Sequence, residues 1–274
     1  MAEISEFEHR TFTFAGTERD VYEAGSGPAV IVIAEIPGIH ASVLEFAATV
    51  RDAGFTVVLP RLFGTVPSAL DASTMLKVFP PLCVSREFAA LARNRTEPVS
   101  VWLRALARDA HERHGGPGVG VVGMCFTGGF ALGMMVDDVV VAPVLSQPSV
   151  PFPLSSKHKA DIHLSPEDLA RVKERVEDGV CVLGLRFTKD ALSPPERFET
   201  LRRELGDNFI GVEIDSSPGN EWGIKSKAHS VLTLDLVADV PEHPTAKALA
   251  QVLEFFRDRL AASPEPAGDV TGGE

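Results

Sequence analysis

The chain has 274 residues, 45% hydrophobic and 23% charged, which suits one large globular domain or two small ones and excludes a disordered or collagen-like chain. Its formal charge of −12, from 26 basic and 38 acidic residues, argues against nucleic acid or anionic membrane as a partner, while a local basic pocket for a small anion stays open. No apolar run approaches the ~18 residues of a membrane span. The leading MAEISEFE lacks a basic n-region and an apolar h-region, so no signal peptide is expected and a cytoplasmic protein is. Cys83, Cys125 and Cys181 are widely spaced and odd in number, which favours neither a disulfide framework nor a zinc site.

In chain order, RTFTF and ERDVYEA read as two short strands joined at Ala15-Gly16. VIVIA, within Pro28 to Gly38, is a buried-strand run of β-branched residues. Apolar residues at 43, 44, 46, 47 and 50, followed by Gly54, predict a helix over 41–53. FTVVLP is the next strand, and 61–82 a long Pro-containing stretch. Helices are predicted around 85–93 and 98–113, then a strand GVGVVGM and a helix over 126–136. DVVVAPVL is a strand, and 146–165 a Pro-rich loop. A helix opens at Ser165 as N-cap with Pro166 in its first turn. Strand VCVLGLRF, a helix over 194–205, strand FIGVEI and a closing helix over 245–260 complete the series. This alternation predicts an α/β fold whose mostly parallel sheet has helices on both faces. It shows no break, so residues 1–260 read as a single domain. AASPEPAGDVTGGE, 261–274, reads as a disordered tail.

The strongest chemical signal is Gly123-Met124-Cys125-Phe126-Thr127-Gly128-Gly129, directly after a buried strand and before a helix. A sharp turn there would lift Cys125 to the carboxyl edge of the sheet, at a helix N-terminus that favours a thiolate. The alternative is a buried cysteine in a Gly-rich turn. A nucleophilic thiol needs a base and an orienting carboxylate, and the order nucleophile, acid, histidine is met by Cys125, Asp190 and His229. Asp190 follows the strand VCVLGLRF, and His229 lies between FIGVEI and the last helix. Each follows a strand, so all three can converge on one sheet edge. Taken singly, Asp190 reads as a turn or cap and His229 as one of eight histidines.

With these residues, the chain from about 28 to 260 resembles the dienelactone hydrolase family of the α/β-hydrolase superfamily. The likeness rests on the AEIPG turn, the GMC-x-x-GG elbow, the Asp190 loop and Ala228-His229-Ser230. It implies an α/β-hydrolase fold and a Cys-His-Asp triad that opens small lactones and esters without metal or cofactor. Cys125 would then be the nucleophile, His229 the base and Asp190 its orienter. It also implies that Glu35, ending the VIVIA strand, contacts the resting thiol. Backbone N–H groups of Ile36 and Phe126 would form the oxyanion hole.

Two departures stand out. The family elbow is G-x-C-x-G-G, and here Thr127 takes the first glycine place. The family's arginine after the histidine has no counterpart in Ser230-Val231-Leu232-Thr233. A second family arginine has candidates in Arg86, Arg93 and Arg95, of which Arg86 is taken as substrate-binding; the substrate is then a less anionic or larger ester. His111, His114, His158 and His163 are expected at the surface, Leu103, Leu106 and Ala110 in the core, and the arginines of 93–108 on a solvated face. The expected function is hydrolysis of an ester or lactone through an acyl-cysteine. The alternatives are a cyclase or isomerase on the same fold, or a non-catalytic small-molecule binding protein.

Overall fold

The structure, a computed structural model, describes residues 2–261. The Pro- and Gly-rich tail lies outside the described residues from 262 onward. Eight strands form one sheet: β1 (Glu8–Phe14), β2 (Thr17–Ala24), β3 (Ala29–Ile33), β4 (Thr56–Pro60), β5 (Val119–Met124), β6 (Val140–Ser146), β7 (Val182–Phe187) and β8 (Phe209–Ile214). Their spatial order is β1-β2-β4-β3-β5-β6-β7-β8. The first two strands pair antiparallel, β2 runs antiparallel to β4, and every other pairing is parallel. The β1–β2 hairpin closes through Ala15 and Gly16, both at positive φ (49° and 78°), as a two-residue turn that follows strand twist requires.

Central strands β3, β4, β5 and β7 are buried along their whole length, which is why they read as unbroken apolar runs rather than alternating ones. Helices α1 (Ala41–Asp52) and α8 (Pro244–Leu260) cover one face. On the other face, α3 (Val99–His114) packs Leu103, Leu106 and Ala110 into the core, as expected, beside α4 (Phe130–Met134), α6 (Pro166–Glu177) and α7 (Pro195–Leu205). Among the described residues no helix is long and apolar enough to cross a membrane.

Four expectations change. Within 61–82, a helix α2 (Ala72–Val84) forms despite Pro80 and Pro81, started by Asp71 accepting from Thr74 N at 2.8 Å. The Pro pair reads as a breaker because it removes two backbone donors, yet the turns before it still close. The predicted helix at 85–93 is instead a series of turns, with Ala89 and Asn94 at φ 49° and 50°. The helix expected over 126–136 is split: residues 125–127 form one 3₁₀ turn and α4 starts only at Phe130. The loop 146–165 also carries a short helix, α5 (Ser156–Lys159).

That loop is tied down by Arg197 of α7, which is 1% exposed. Its guanidinium donates to the carbonyls of Asp161 (2.8 Å), Pro148 (2.6 Å), Pro151 (2.6 Å) and His158 (3.1 Å). Burial lowers its pKa to about 10, so it stays charged at neutral pH. Arg197→Met would strand several buried carbonyls at once. It should cost at least about 2 kcal/mol in urea unfolding, since each stranded group loses its desolvation compensation.

Candidate active site

Parallel registry assembles the site. Ile33 of β3 pairs with Gly123 of β5, and Met124 of β5 with Ser146 of β6, so the segments after these strands emerge side by side. Cys125 begins the turn after β5 at φ 54°, a left-handed conformation that is costly for a residue with a Cβ. The surroundings enforce it. A Cβ on Gly123 would lie 2.1 Å from the Thr127 carbonyl oxygen, and one on Gly128 would lie 2.6 Å from Pro148 Cα, so both positions need glycine. Thr127, buried in place of the family's glycine, adds bonds a glycine lacks: its Oγ1 accepts from Met124 N at 3.0 Å and donates to the Ile33 carbonyl at 2.9 Å. The Cys125 carbonyl accepts from Gly128 N (2.9 Å) and Ser149 N (3.0 Å). Thr127→Val, which keeps the shape and removes the hydroxyl, should destabilise the chain by about 1–3 kcal/mol. Thr127→Ser should stay near the parent in thermal melts.

Asp190 and His229 meet directly. His229 Nδ1 lies 2.6 Å from Asp190 Oδ2, and Leu192 N donates to Asp190 Oδ1 at 2.9 Å. The Asp190 loop is held by buried Arg186, which donates to the carbonyls of Ser193 (2.8 Å) and Thr188 (3.1 Å) and pairs with Glu213. Asp235, not singled out in the sequence, accepts at Oδ2 from both His229 N (2.8 Å) and Ser230 N (3.0 Å). His229 Nε2 is buried without a hydrogen-bond partner among the described residues. Burial of the ring favours its neutral form, but Asp190 and the neighbouring Cys125 outweigh it and raise the pKa to about 11.

Glu35 is 2% exposed, and its bonds correct the expected contact with the thiol. Ser230 Oγ donates to Oε2 at 2.7 Å, Thr233 Oγ1 to Oε1, and Gln147 Nε2 lies 3.5 Å from Oε2. His40 Nε2 stands 3.5 Å from Oε1. A carboxylate this buried needs donors on both oxygens, and these groups supply them without Cys125. Burial raises its pKa, yet His40, Thr233 and Ser230 together hold it below the usual value. Gln147 also accepts from Val231 N at 3.3 Å and from Ser146 Oγ. Glu35 therefore braces the segment that carries His229. Gln147 and His40 carried no sequence signal, because their partners are distant in the chain.

Ile36 and Phe126 sit in the two turns that the Thr127–Ile33 bond ties together. The Ile36 N–H has no acceptor among the described residues. Arg86 lies elsewhere: with Arg95 it lines a cavity of about 370 Å³ beside Phe14, Thr17 and Trp102, to which Cys125, His229 and Asp190 do not contribute. Arg93 stands 3.8 Å from Asp161. No group of three or more His, Cys, Asp or Glu among the described residues is arranged to hold a metal ion.

His163, expected at the surface, is fully buried. Its Nε2 lies 3.0 Å from the Ala89 carbonyl, which can only accept, so the proton sits on Nε2 and Nδ1 is bare. Glu97 Oε2 lies 3.4 Å from that Nδ1. Burial lowers the His163 pKa to about 4 and raises that of Glu97 to about 7, so below about pH 7 a protonated carboxyl faces a neutral ring. The folded state thus holds the Glu97 proton more tightly than the unfolded chain does. The resulting stabilisation is complete below pH 4.5 and is lost as pH rises through about 7. His163 works the other way, since its folded pKa of about 4 lies below the ordinary 6.5 and its contribution is lost as pH falls through that range, so urea titrations of the parent should show the two slopes largely cancelling between about pH 4 and 7. Glu97→Gln should leave the His163 slope unopposed, so that the variant loses stability as pH falls from about 6.5 to 4.

The sequence profile of the dienelactone hydrolase family matches residues 14–260. The chain belongs to the dienelactone hydrolase family. It is accordingly a hydrolase of the ester and lactone type. Among curated proteins, no sequence matches the chain. Solved structures share its fold. A Klebsiella pneumoniae protein named for dienelactone hydrolase has TM-score 0.61 at 20% identity, over 91% of this chain and 97% of its own. A dienelactone hydrolase-like promiscuous phosphotriesterase from metagenomic libraries has TM-score 0.58 at 16% identity, over 92% and 98%. A Xanthomonas campestris α/β serine hydrolase without lid has TM-score 0.54 at 14% identity, over 95% and 98%. The architecture is that of an α/β hydrolase.

Proposed function

We propose that the protein cleaves an ester or lactone with Cys125 as nucleophile, His229 as base and Asp190 as its orienter. The observation that carries this reading is the 2.6 Å bond from His229 Nδ1 to Asp190 Oδ2, made beside a cysteine held at a strained strand-to-helix turn. With Nδ1 engaged, Nε2 is the nitrogen free to exchange a proton with the thiol. The Cys125 thiolate attacks the carbonyl carbon, the C–O bond to the leaving group breaks, and a thioester to Cys125 forms. His229 gives its proton to the departing oxygen. It then takes one from water, which attacks the thioester and releases the acid. Ile36 and Phe126 N–H groups would receive the developing oxyanion from the two adjoining turns. A thiolate is also a good leaving group, so activated esters are favoured over amides. Glu35, Ser230, Gln147 and Asp235 act in this reading by positioning His229.

The test is a screen of lactones, aryl esters and thioesters with intact-mass detection of the acyl adduct. Cys125→Ala should abolish both adduct and turnover. His229→Ala should lower turnover by roughly 10²–10⁴-fold, and Asp190→Asn should lower it with the fold intact. Iodoacetamide should label Cys125 ahead of Cys181 and of Cys83, whose thiol burial pushes up in pKa. Turnover that tolerates Cys125→Ala but needs His229 would favour a cyclase or isomerase instead, and tight binding without turnover a binding protein.

A further inference from the structure

Cys125 opens onto a cluster of phenylalanines. Phe126, the next residue, contacts Phe63 (ring centroids 6.1 Å), Phe88 (5.6 Å), Phe130 (6.1 Å) and Phe152 (6.1 Å). Phe152 in turn contacts Phe79 of α2 at 5.7 Å. Cys125, Ile36, Phe63 and Phe152 are only partly buried against this cluster, so it reaches the surface at the cysteine. At its other end α2 buries only Leu82, while Met75, Leu76 (74% exposed) and Phe79 (41%) stay open to solvent. The result is an apolar track from the sulfur to an uncovered apolar helix face.

The arginines that could hold a substrate carboxylate lie elsewhere, and Lys77, on α2 itself, is two residues from Phe79 and so stands on the opposite side of that helix. Arg86 and Arg95 line their own cavity, Arg93 faces Asp161, and the Arg197 guanidinium is taken up by backbone carbonyls. Lys159 and Lys189 line a cavity beside Asp190 that includes none of the phenylalanines. Ser230 and Thr233 are committed to Glu35.

Resting on the reading of Cys125 as nucleophile, we infer that the substrate carries an uncharged, extended apolar acyl group, which lies along the partly exposed Phe63 and Phe152 and along Phe79, and covers the open face of α2. Each methylene taken from water onto this track favours binding, and a terminal carboxylate there would lose its hydration without gaining a partner.

The experiment compares 4-nitrophenyl acetate, 4-nitrophenyl octanoate and the 4-nitrophenyl monoester of octanedioic acid on the full chain. Octanoate should exceed acetate in kcat/KM by at least about tenfold, and the carboxylate-ended chain should fall back by a similar factor. Phe79→Asp, at an exposed position, and Phe152→Leu should each lower the octanoate-to-acetate ratio by at least about fivefold. In parallel, the rate of Cys125 alkylation is measured with iodoacetamide, N-octyl iodoacetamide and iodoacetate. This arm needs no turnover, so failure of the nucleophile reading (no ester cleaved) is separable from failure of the apolar track. Octyl reagent fastest and iodoacetate slowest supports the track. Equal rates, or preference for either carboxylate-bearing reagent, overturns it. So does a dimer that Phe79→Asp dissociates while the chain-length ratio stays unmoved, which would assign the α2 face to a second copy of the chain.

Discussion

The structure depends on keeping one cysteine in a backbone conformation that cysteine disfavours. The positive φ at Cys125 holds only because everything around it leaves no alternative. Gly123 lets the chain fold back onto the Thr127 carbonyl, and Gly128 lets the turn press against Pro148 and Ser146. Thr127 closes the arrangement from below, reaching both its own strand and the end of β3. The strain is local, but its support spans three adjacent parallel strands. The family's usual glycine would give a looser joint here; the threonine adds a side-chain link between the two turns proposed to hold an oxyanion.

Around this turn the fold spends an unusual amount of buried polarity on holding loops. Arg197 gathers the carbonyls of the loop after β6, Arg186 those of the loop after β7, and Asp235 the backbone of the His229 segment. Glu35 reaches across from β3 to Ser230 and Thr233. Each is a charged side chain whose cost of leaving water is offset by several directed hydrogen bonds. The loops at the carboxyl edge lack the ladder bonds that fix strands, so side chains fix them instead. This is how an irregular segment can hold Asp190 and His229 at hydrogen-bond distance.

The wall near Cys125 has a different character. Phenylalanines rather than cations surround Phe126, and α2 presents apolar side chains outward. Arg186 and Arg197 are held in carbonyl clamps and Arg93 faces Asp161, while the approach to the sulfur is apolar. Behind this wall burial holds His163 neutral and raises the Glu97 pKa to about 7.

Much of this was decided locally and was therefore legible in the chain. Buried parallel strands have to be apolar throughout, so VIVIA, VGVVGM and VLGLRF announce themselves, and a glycine-flanked cysteine between strand and helix marks a sharp turn. The order Cys125, Asp190, His229 could be read because parallel topology sends every post-strand loop to the same edge. What could not be read depends on partners distant in sequence. Glu35 looked free to face the thiol until Ser230 and Thr233, almost two hundred residues away, were folded onto it. Arg86 looked like a substrate anchor until its segment, lacking the predicted helix, turned toward the β1–β2 hairpin. His163 looked like a surface residue because nothing nearby in the chain shows that Glu97 and the Ala89 carbonyl will enclose it. Periodicity and turn chemistry are local properties and fix the scaffold; hydrogen-bond partnership is a property of the packed interior, and only the tertiary structure decides it.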